Sequence, residues 1–332
     1  MTKTRIWLTG ALCLLACLCA QAQDQPVDNE KKYDIVVARD GSGDFRNIQD
    51  AIESIRAFKP GKRTTVFIKE GVYKEKVVVH TWVTNVDFIG ESREKTIITY
   101  DDHANILMPG STMKMGTFRS YTVLVQGNGI TFQNMTIENA SGRKGQAVAL
   151  HTEGDRIAVF NCNILGNQDT IYTGREQCRL YFENCYIDGT TDFIFGPSTA
   201  WFEACHIHCK INSYITAAST PEYVKYGYIF NRCEITADSV AEKVYLGRPW
   251  RQYGMTLFMH CNLGSFIRPE GWHNWGQKIN EECARYYEFE NTGEGAATDK
   301  RVAWSKQLSK KQAKEYTLEK VCGDWNPLDF KL

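Results

Sequence analysis

Through the middle of the chain one hydrophobic and polar pattern recurs: an apolar pair, one or two polar residues, Cys, one residue, then Ile or Leu. The phrases end at Ile164, Ile187, Ile207, Ile235 and Leu263, with Cys162, Cys185, Cys205, Cys233 and Cys261 in the same slot. Met135 in TFQNMTI also fits the slot, and the intervals from it run 27, 23, 20, 28 and 28 residues. Each phrase alternates as a strand does, with successive side chains on opposite faces. A short-repeat helix would keep a uniform period; uneven intervals predict three strands per turn joined by loops of variable length. The expected fold is all-β, a right-handed parallel β-helix. An antiparallel sandwich is the runner-up, but it needs hairpin turns between successive strands and gives no reason for a fixed Cys slot.

Ahead of the repeats, Ile48, Ala51, Ile52 and Ile55 are spaced for a helix over residues 45–57. Such a helix would cap the open end of the solenoid, whose last turn must be covered. Strands are expected in residues 33–38 and in TTVFIKEGVYKEKVVV, NVDFIG and KTIITY, with the repeats beginning at Tyr121. From Gln277 the pattern loosens, and Ser309 is placed to cap a helix through Lys320 that ends near Gly323.

The first 22 residues read as a cleavable secretory signal: Lys3 and Arg5, an apolar run over 6–19, then Ala20-Gln21-Ala22 as a small-x-small cleavage site. The run is shorter than the ~20 residues of a membrane span. A lipoprotein signal with Cys17 acylated after Leu14-Leu15-Ala16 ranks lower, because Leu at the middle position is unusual. The expected organisation is a signal at 1–22, a polar segment at 23–32 and one domain over 33–332. The protein is expected to be secreted or periplasmic, with no integral membrane span.

Composition narrows the picture. A chain of 332 residues with 43% hydrophobic content buries a sizeable core. Cleavage after Ala22 takes two of the 39 basic residues and leaves 37 against 39 acidic ones, which argues against a nucleic-acid or polyanion binder held by bulk charge. Three of the twelve cysteines leave with the signal and nine remain, so at least one thiol is unpaired unless it joins another chain. A buried thiol behaves as a small hydrophobe, so the Cys column reads as interior packing. In Cys205-His206-Ile207-His208-Cys209 strand alternation sends both Cys inward and both His outward. No tetrahedral site closes from them, and neither a metal nor another cofactor is expected.

Candidate chemistry lies at two aspartates. Asp169 and Asp192 each stand seven residues past a slot cysteine, Cys162 and Cys185. With parallel strands ~4.8 Å apart, Asp169 should stack on Asp192 and Gln168 on Thr191. Asn212 stands at the same distance from Cys205 and shows that a neutral residue could fill the position. Two like charges within ~5 Å raise the pKa of one member, so a stacked Asp pair is better explained by function than by stability. Such a pair suits a retaining glycosidase. It equally suits acyl transfer, in which one Asp attacks a carbonyl carbon and the other protonates the leaving alkoxide. Acyl transfer also needs donors for an oxyanion, and the amides of Gln168 and Gln146 could supply them. Arg248 in LGRPW is a candidate for keeping the attacking Asp ionised, and Trp250 offers a flat face.

GVYKE (71–75), GQAVAL (145–150), QDTIY (168–172), DFIFG (192–196) and LGRPW (246–250) resemble, in this order, the signature segments of pectin methylesterases. VARDGSGDF at the start and RVAW and DWNP near the end are also similar, so the resemblance covers residues 34–327. It implies a right-handed parallel β-helix that hydrolyses the C6 methyl ester of galacturonate in homogalacturonan without a metal. By position, Asp192 resembles the nucleophile and Asp169 the general acid that then turns base. Gln146 resembles the main oxyanion donor with Gln168 beside it, Arg248 the partner that hydrogen-bonds the nucleophile, and Trp250 a sugar-contacting residue. Ile171 and Thr191 depart mildly from the family pattern. Tyr172, Phe195 and Trp272 are further candidates for a polysaccharide groove, with core packing a rival explanation for Trp272 and Trp275. The expected partner is methyl-esterified pectin, with no nucleic acid, and the expected state a monomer. The alternatives are a polygalacturonase or pectate lyase on the same scaffold, a non-catalytic glycan-binding β-helix, or an esterase of this family acting on another acyl ester.

Overall fold

The computed structural model describes residues 32–331. The expected signal at 1–22, with Cys17, and the polar segment up to residue 31 lie outside the described residues. Within them the strands form three sheets of eleven, seven and eight strands, and the chain visits the sheets in rotation. One turn shows the rule. Ile157–Phe160 lies in the first sheet, Asn163–Leu165 in the eight-stranded sheet and Ile171–Thr173 in the seven-stranded sheet; Arg179–Glu183 then returns to pair in parallel with Ile157–Phe160. Parallel crossovers of this kind are right-handed, and the molecule is a right-handed parallel β-helix.

The slot cysteines owe their spacing to the corner that precedes them. Each first-sheet strand from Ile130–Gln133 to Met255–Met259 turns through one residue with positive φ just before the slot: Asn134 (55°), Asn161 (49°), Asn184 (52°), Ala204 (48°), Arg232 (55°) and His260 (55°). Asn tolerates this left-handed region better than most residues. Here it also ladders, Asn161 Nδ2 donating to Asn134 Oδ1 at 2.8 Å and Asn184 Nδ2 to Asn161 Oδ1 at 3.1 Å. The next residue then points inward, and Cys162, Cys185, Cys205, Cys233 and Cys261 are buried in one apolar core with Met135. Cys209 joins them, whereas His206 and His208 face outward and meet at Thr236 Oγ1 (2.5 and 2.8 Å). All nine cysteines among the described residues are free thiols.

Inside the coil, Phe182, Phe202, Phe230 and Phe258 stack at successive centroid distances of 4.7, 4.4 and 4.4 Å. Removing a middle ring strips contacts from both neighbours and leaves a cavity. Phe202→Ala is expected to lower stability by about 3–5 kcal/mol, read by chemical denaturation; a loss below about 1 kcal/mol would show that the ladder does not hold the core.

Three expectations need correction. The solenoid starts well before Tyr121, because Thr64–Ile68, Gly71–Lys74 and Val77–Val79 already form a turn on which Val86–Gly90 stacks. That earlier turn hides in the sequence because Gly90 and Glu91 stand where the next coil has Asn134 and Met135, as the pairing of Ile89 with Gln133 requires. The capping helix is Ile48–Ser54, shorter than 45–57: Phe45 instead bridges to Val37, and Ile55 is extended. Its buried face is Ile48, Ala51 and Ile52, and its first amides, of Ile48 and Gln49, donate to the Glu75 carboxylate. The C-terminal helix is two helices. Ser309 caps Lys310–Ala313 through a capping box with Gln312, and Thr317 caps a second, Leu318–Cys322, ending at Gly323 (φ 62°). Ala313, Val321 and Trp325 pack on Ala158, Tyr181 and Trp201 along the outer face of the eleven-stranded sheet.

Register fixes the site. Ile171 pairs with Ile194, which sets Asp169 directly on Asp192. Ile194 then pairs with Thr216, so the residue beneath Asp192 is Tyr214, not Asn212. The turn entering Tyr214–Ala218 is two residues longer than the one before it. Asn212 is pushed out of the column, and its side chain accepts the Lys243 N–H at 2.7 Å instead.

Candidate active site

Asp169 and Asp192 both occupy left-handed corners, with φ of 69° and 51°, just before strands of the seven-stranded sheet. A non-glycine residue there costs on the order of 1 kcal/mol and persists when the surroundings over-determine it. They do: the Asp169 N–H donates to the Thr191 carbonyl at 3.2 Å and the Asp192 N–H to the Tyr214 carbonyl at 2.9 Å. Both carboxyl groups are thereby aimed at one cleft, and both residues are buried.

Arg248 follows the strand Tyr245–Gly247 and grips Asp192 with both prongs, Nε to Oδ1 at 2.9 Å and Nη2 to Oδ2 at 2.6 Å. Such bidentate pairs combine charge with fixed geometry. The guanidinium is itself sandwiched, its carbon 3.8 Å from the ring centroids of both Tyr214 and Trp275.

The two acids sit in unequal fields. Burial pushes Asp169 well above the usual carboxylate range, the negative charge of Asp192 pushes it further, and Arg248 offsets only part of this. Burial also raises Asp192, and the hydrogen bonds and charge of Arg248 offset part of that rise. The asymmetry runs in one direction, with Asp169 pushed up by its neighbour's charge and Asp192 held lower by Arg248, the direction of split that an acid and a nucleophile need.

Gln146 and Gln168 line the same cleft, which measures about 220 Å³ and also admits Phe195 and Trp250. The two Gln segments run side by side, with the Ala147 N–H donating to the Gln168 carbonyl at 3.1 Å. Tyr172 stands beside the cleft with its ring stacked on Phe195 at 4.7 Å. Trp272, expected as a substrate contact, is 1% exposed. It lies inside the coil, its ring tilted 34° against Tyr286 at 4.4 Å with Nε1 toward Glu288, and does not reach the cleft. Its place is taken by Trp275, three residues on. The parity that sends Trp272 inward follows from its bridge to Gly247, and nothing in the local sequence marks it.

Thr117, Phe118 and Ala217 complete the lining and were not anticipated. Phe118 belongs to the long excursion between Thr96–Tyr100 and Val123–Val125, where it is 47% exposed against Tyr172 at 4.8 Å. Nothing in the local sequence sets Phe118 apart from the other apolar residues of that insertion, Ile106, Leu107, Met108, Met113 and Met115. Among the described residues no three His, Cys, Asp or Glu side chains converge as metal ligands.

Beside this geometry stands the comparison with known proteins. A family model described as Pectinesterase matches residues 34–324. The chain belongs to the pectinesterase family. Pectinesterase 31 of Arabidopsis thaliana is 39% identical over 282 residues, covering 83% of this chain and 88% of that one. Pectinesterase/pectinesterase inhibitor U1 of Solanum lycopersicum is 36% identical over 300 residues, 86% of this chain, which spans about half (50%) of that longer protein. Among solved pectinesterase structures, pectin methylesterase from carrot superposes with a TM-score of 0.81 at 34% identity, covering 87% and 93% of the two chains. Pectin methylesterase PemA from Erwinia chrysanthemi does so with a TM-score of 0.78 at 30% identity, covering 90% and 99%. As a pectinesterase the chain is a carboxylic ester hydrolase, and the motif order, the β-helix and the family agree.

Proposed function

We propose that this pectinesterase hydrolyses the C6 methyl esters of galacturonate units in pectin, with Asp192 as nucleophile and Asp169 as general acid and then base. The observation that carries the reading is the bidentate Arg248–Asp192 pair stacked against a buried Asp169, whose pKa burial and the Asp192 charge push upward. An Asp192 oxygen bonds to the ester carbonyl carbon, and the carbonyl electrons move onto its oxygen, which the amides of Gln146 and Gln168 receive. Collapse breaks the bond to methoxide as Asp169 gives up its proton, so methanol leaves and a mixed anhydride remains on Asp192. Asp169, now a carboxylate, takes a proton from water as the water oxygen attacks the galacturonyl carbon. The free acid departs, Asp192 is again a carboxylate and Asp169 again protonated.

Phe195, Trp250 and Trp275 give the cleft flat apolar walls on which a sugar ring can lie, with Tyr172 behind Phe195. A structural neighbour, a pectin methylesterase, has been solved in complex with a hexasaccharide, which supports an extended sugar chain as the ligand here. Among the described residues no helix is long and apolar enough to cross a membrane. Action as a monomer outside the cytoplasm, on a cell-wall polymer, belongs to the same proposal.

Highly methylated pectin separates this chemistry from the glycan-cleaving alternatives. Methanol release with no new reducing or unsaturated chain ends is expected. New ends at a rate matching or exceeding methanol would contradict the assignment.

A further inference from the structure

Tyr214, brought beneath Asp192 by the longer turn, meets the candidate nucleophile by two routes. Its carbonyl accepts the Asp192 N–H at 2.9 Å and so holds the left-handed backbone from which the carboxylate projects. Its ring lies 3.8 Å from the guanidinium carbon of Arg248, whose two prongs hold the carboxylate oxygens. Trp275 covers the guanidinium at the same distance from a backbone with φ 60°. His273 braces both partners: its ring meets the Tyr214 ring at 5.4 Å and 60°, and its Nδ1 accepts the Trp275 backbone N–H at 3.0 Å. Tyr245 stacks on Tyr214 at 5.3 Å, nearly parallel. A planar cation held between two aromatic faces has surrendered its rotational freedom before it meets the carboxylate.

We propose that Tyr214 is a positioning residue for the hydrolysis: by clamping Arg248 against Trp275 and anchoring the Asp192 backbone, it keeps the nucleophile ionised and aimed. The inference rests on the reading of Asp192 as nucleophile. Tyr214 is not among the residues lining the cleft, so its influence passes through Arg248 and Asp192. The titratable and charged groups around Asp192 are Asp169 from the preceding coil, Arg248, the buried phenol of Tyr286 and, beyond Arg248, His273. Of these Arg248 is the one that pulls the carboxyl pKa down. Loosening it lets that pKa rise, and the ionised fraction is then lost at a higher pH.

The test compares Tyr214→Phe, which keeps the ring, with Tyr214→Leu, which keeps the carbonyl and the bulk but has no π face. Arg248→Lys serves as reference. Tyr214→Phe is expected within about twofold of the parent enzyme. Tyr214→Leu is expected to lower kcat about tenfold, to leave KM within about twofold, and to move the acidic limb of the pH profile to higher pH. Arg248→Lys should move that limb in the same direction and further. Should Tyr214→Leu not fold, Tyr214→Met fills the space with a flexible side chain and replaces it. An unchanged limb and kcat in the Leu or Met variant, with the limb moved in Arg248→Lys, would overturn the role of Tyr214 and leave the nucleophile standing. Equal losses in the Phe and Leu variants would also overturn it. A limb moved by neither Tyr214→Leu nor Arg248→Lys would remove the nucleophile assignment itself.

Discussion

Asp192→Asn is expected to suppress methanol release from pectin by ~10⁵-fold or more, because an amide cannot form the anhydride and nothing else in the cleft replaces the attacking oxygen. The loss should appear in kcat, since the aromatic walls and the two Gln amides that receive the substrate are untouched. The fold should survive. Asn is nearly isosteric with Asp, tolerates the left-handed corner at φ 51°, and keeps the N–H that the Tyr214 carbonyl accepts. Arg248 loses its ionic partner but is not stranded, as its side chain is 20% exposed and can hydrate. Methanol assays beside a thermal melt read both halves. Activity within tenfold of the parent enzyme in a folded variant would remove Asp192 from the mechanism.

Asp169→Asn is expected to do two opposite things. It removes the acid and base and should cost ~10²–10⁴-fold in kcat on methyl esters, whose leaving group needs a proton. It should also stabilise the fold at neutral pH. Burial and the neighbouring Asp192 raise the folded-state pKa of Asp169 above the ordinary value of about 3.9. The folded chain therefore holds a proton that the unfolded chain has released. Stability from such a group is complete below the unfolded pKa and is lost as pH rises through the folded pKa. Asn never ionises and escapes that loss. The melting temperature of Asp169→Asn should therefore match the parent enzyme near pH 4 and exceed it increasingly as pH rises, up to the folded pKa. A variant less stable than the parent at neutral pH would contradict the strained acid pair.

What the sequence disclosed followed the solenoid's own constraints. An inward-facing residue after each corner must be small enough to stack, so the Cys column announced the repeat. Equal turn lengths in two coils announced the Asp pair. The same logic misplaced Asn212, because two extra residues in the next turn carry no composition signal and only pairing between coils exposes them. The first coils stayed hidden for a related reason, with Gly90 and Glu91 breaking the Asn-Cys phrase without breaking the coil. Trp272 and Trp275 were indistinguishable until the bridge from Trp272 to Gly247 set which faces inward. Phe118 and Tyr214 reach the site from an insertion and a neighbouring coil, contacts between residues far apart in the chain that local spacing cannot show.

The most direct measurement is a covalent one. An activated ester of a galacturonate oligomer, with 4-nitrophenol as leaving group, needs no acid to depart, so Asp169→Asn should still be acylated by it but lacks the base that clears the anhydride. Rapid quenching and peptide mass mapping should find one galacturonyl adduct, on the peptide carrying Asp192. Nitrophenol release at the parent rate with no adduct at Asp192, or an adduct that persists in the Asp169→Asn, Asp192→Asn double variant, would contradict the account.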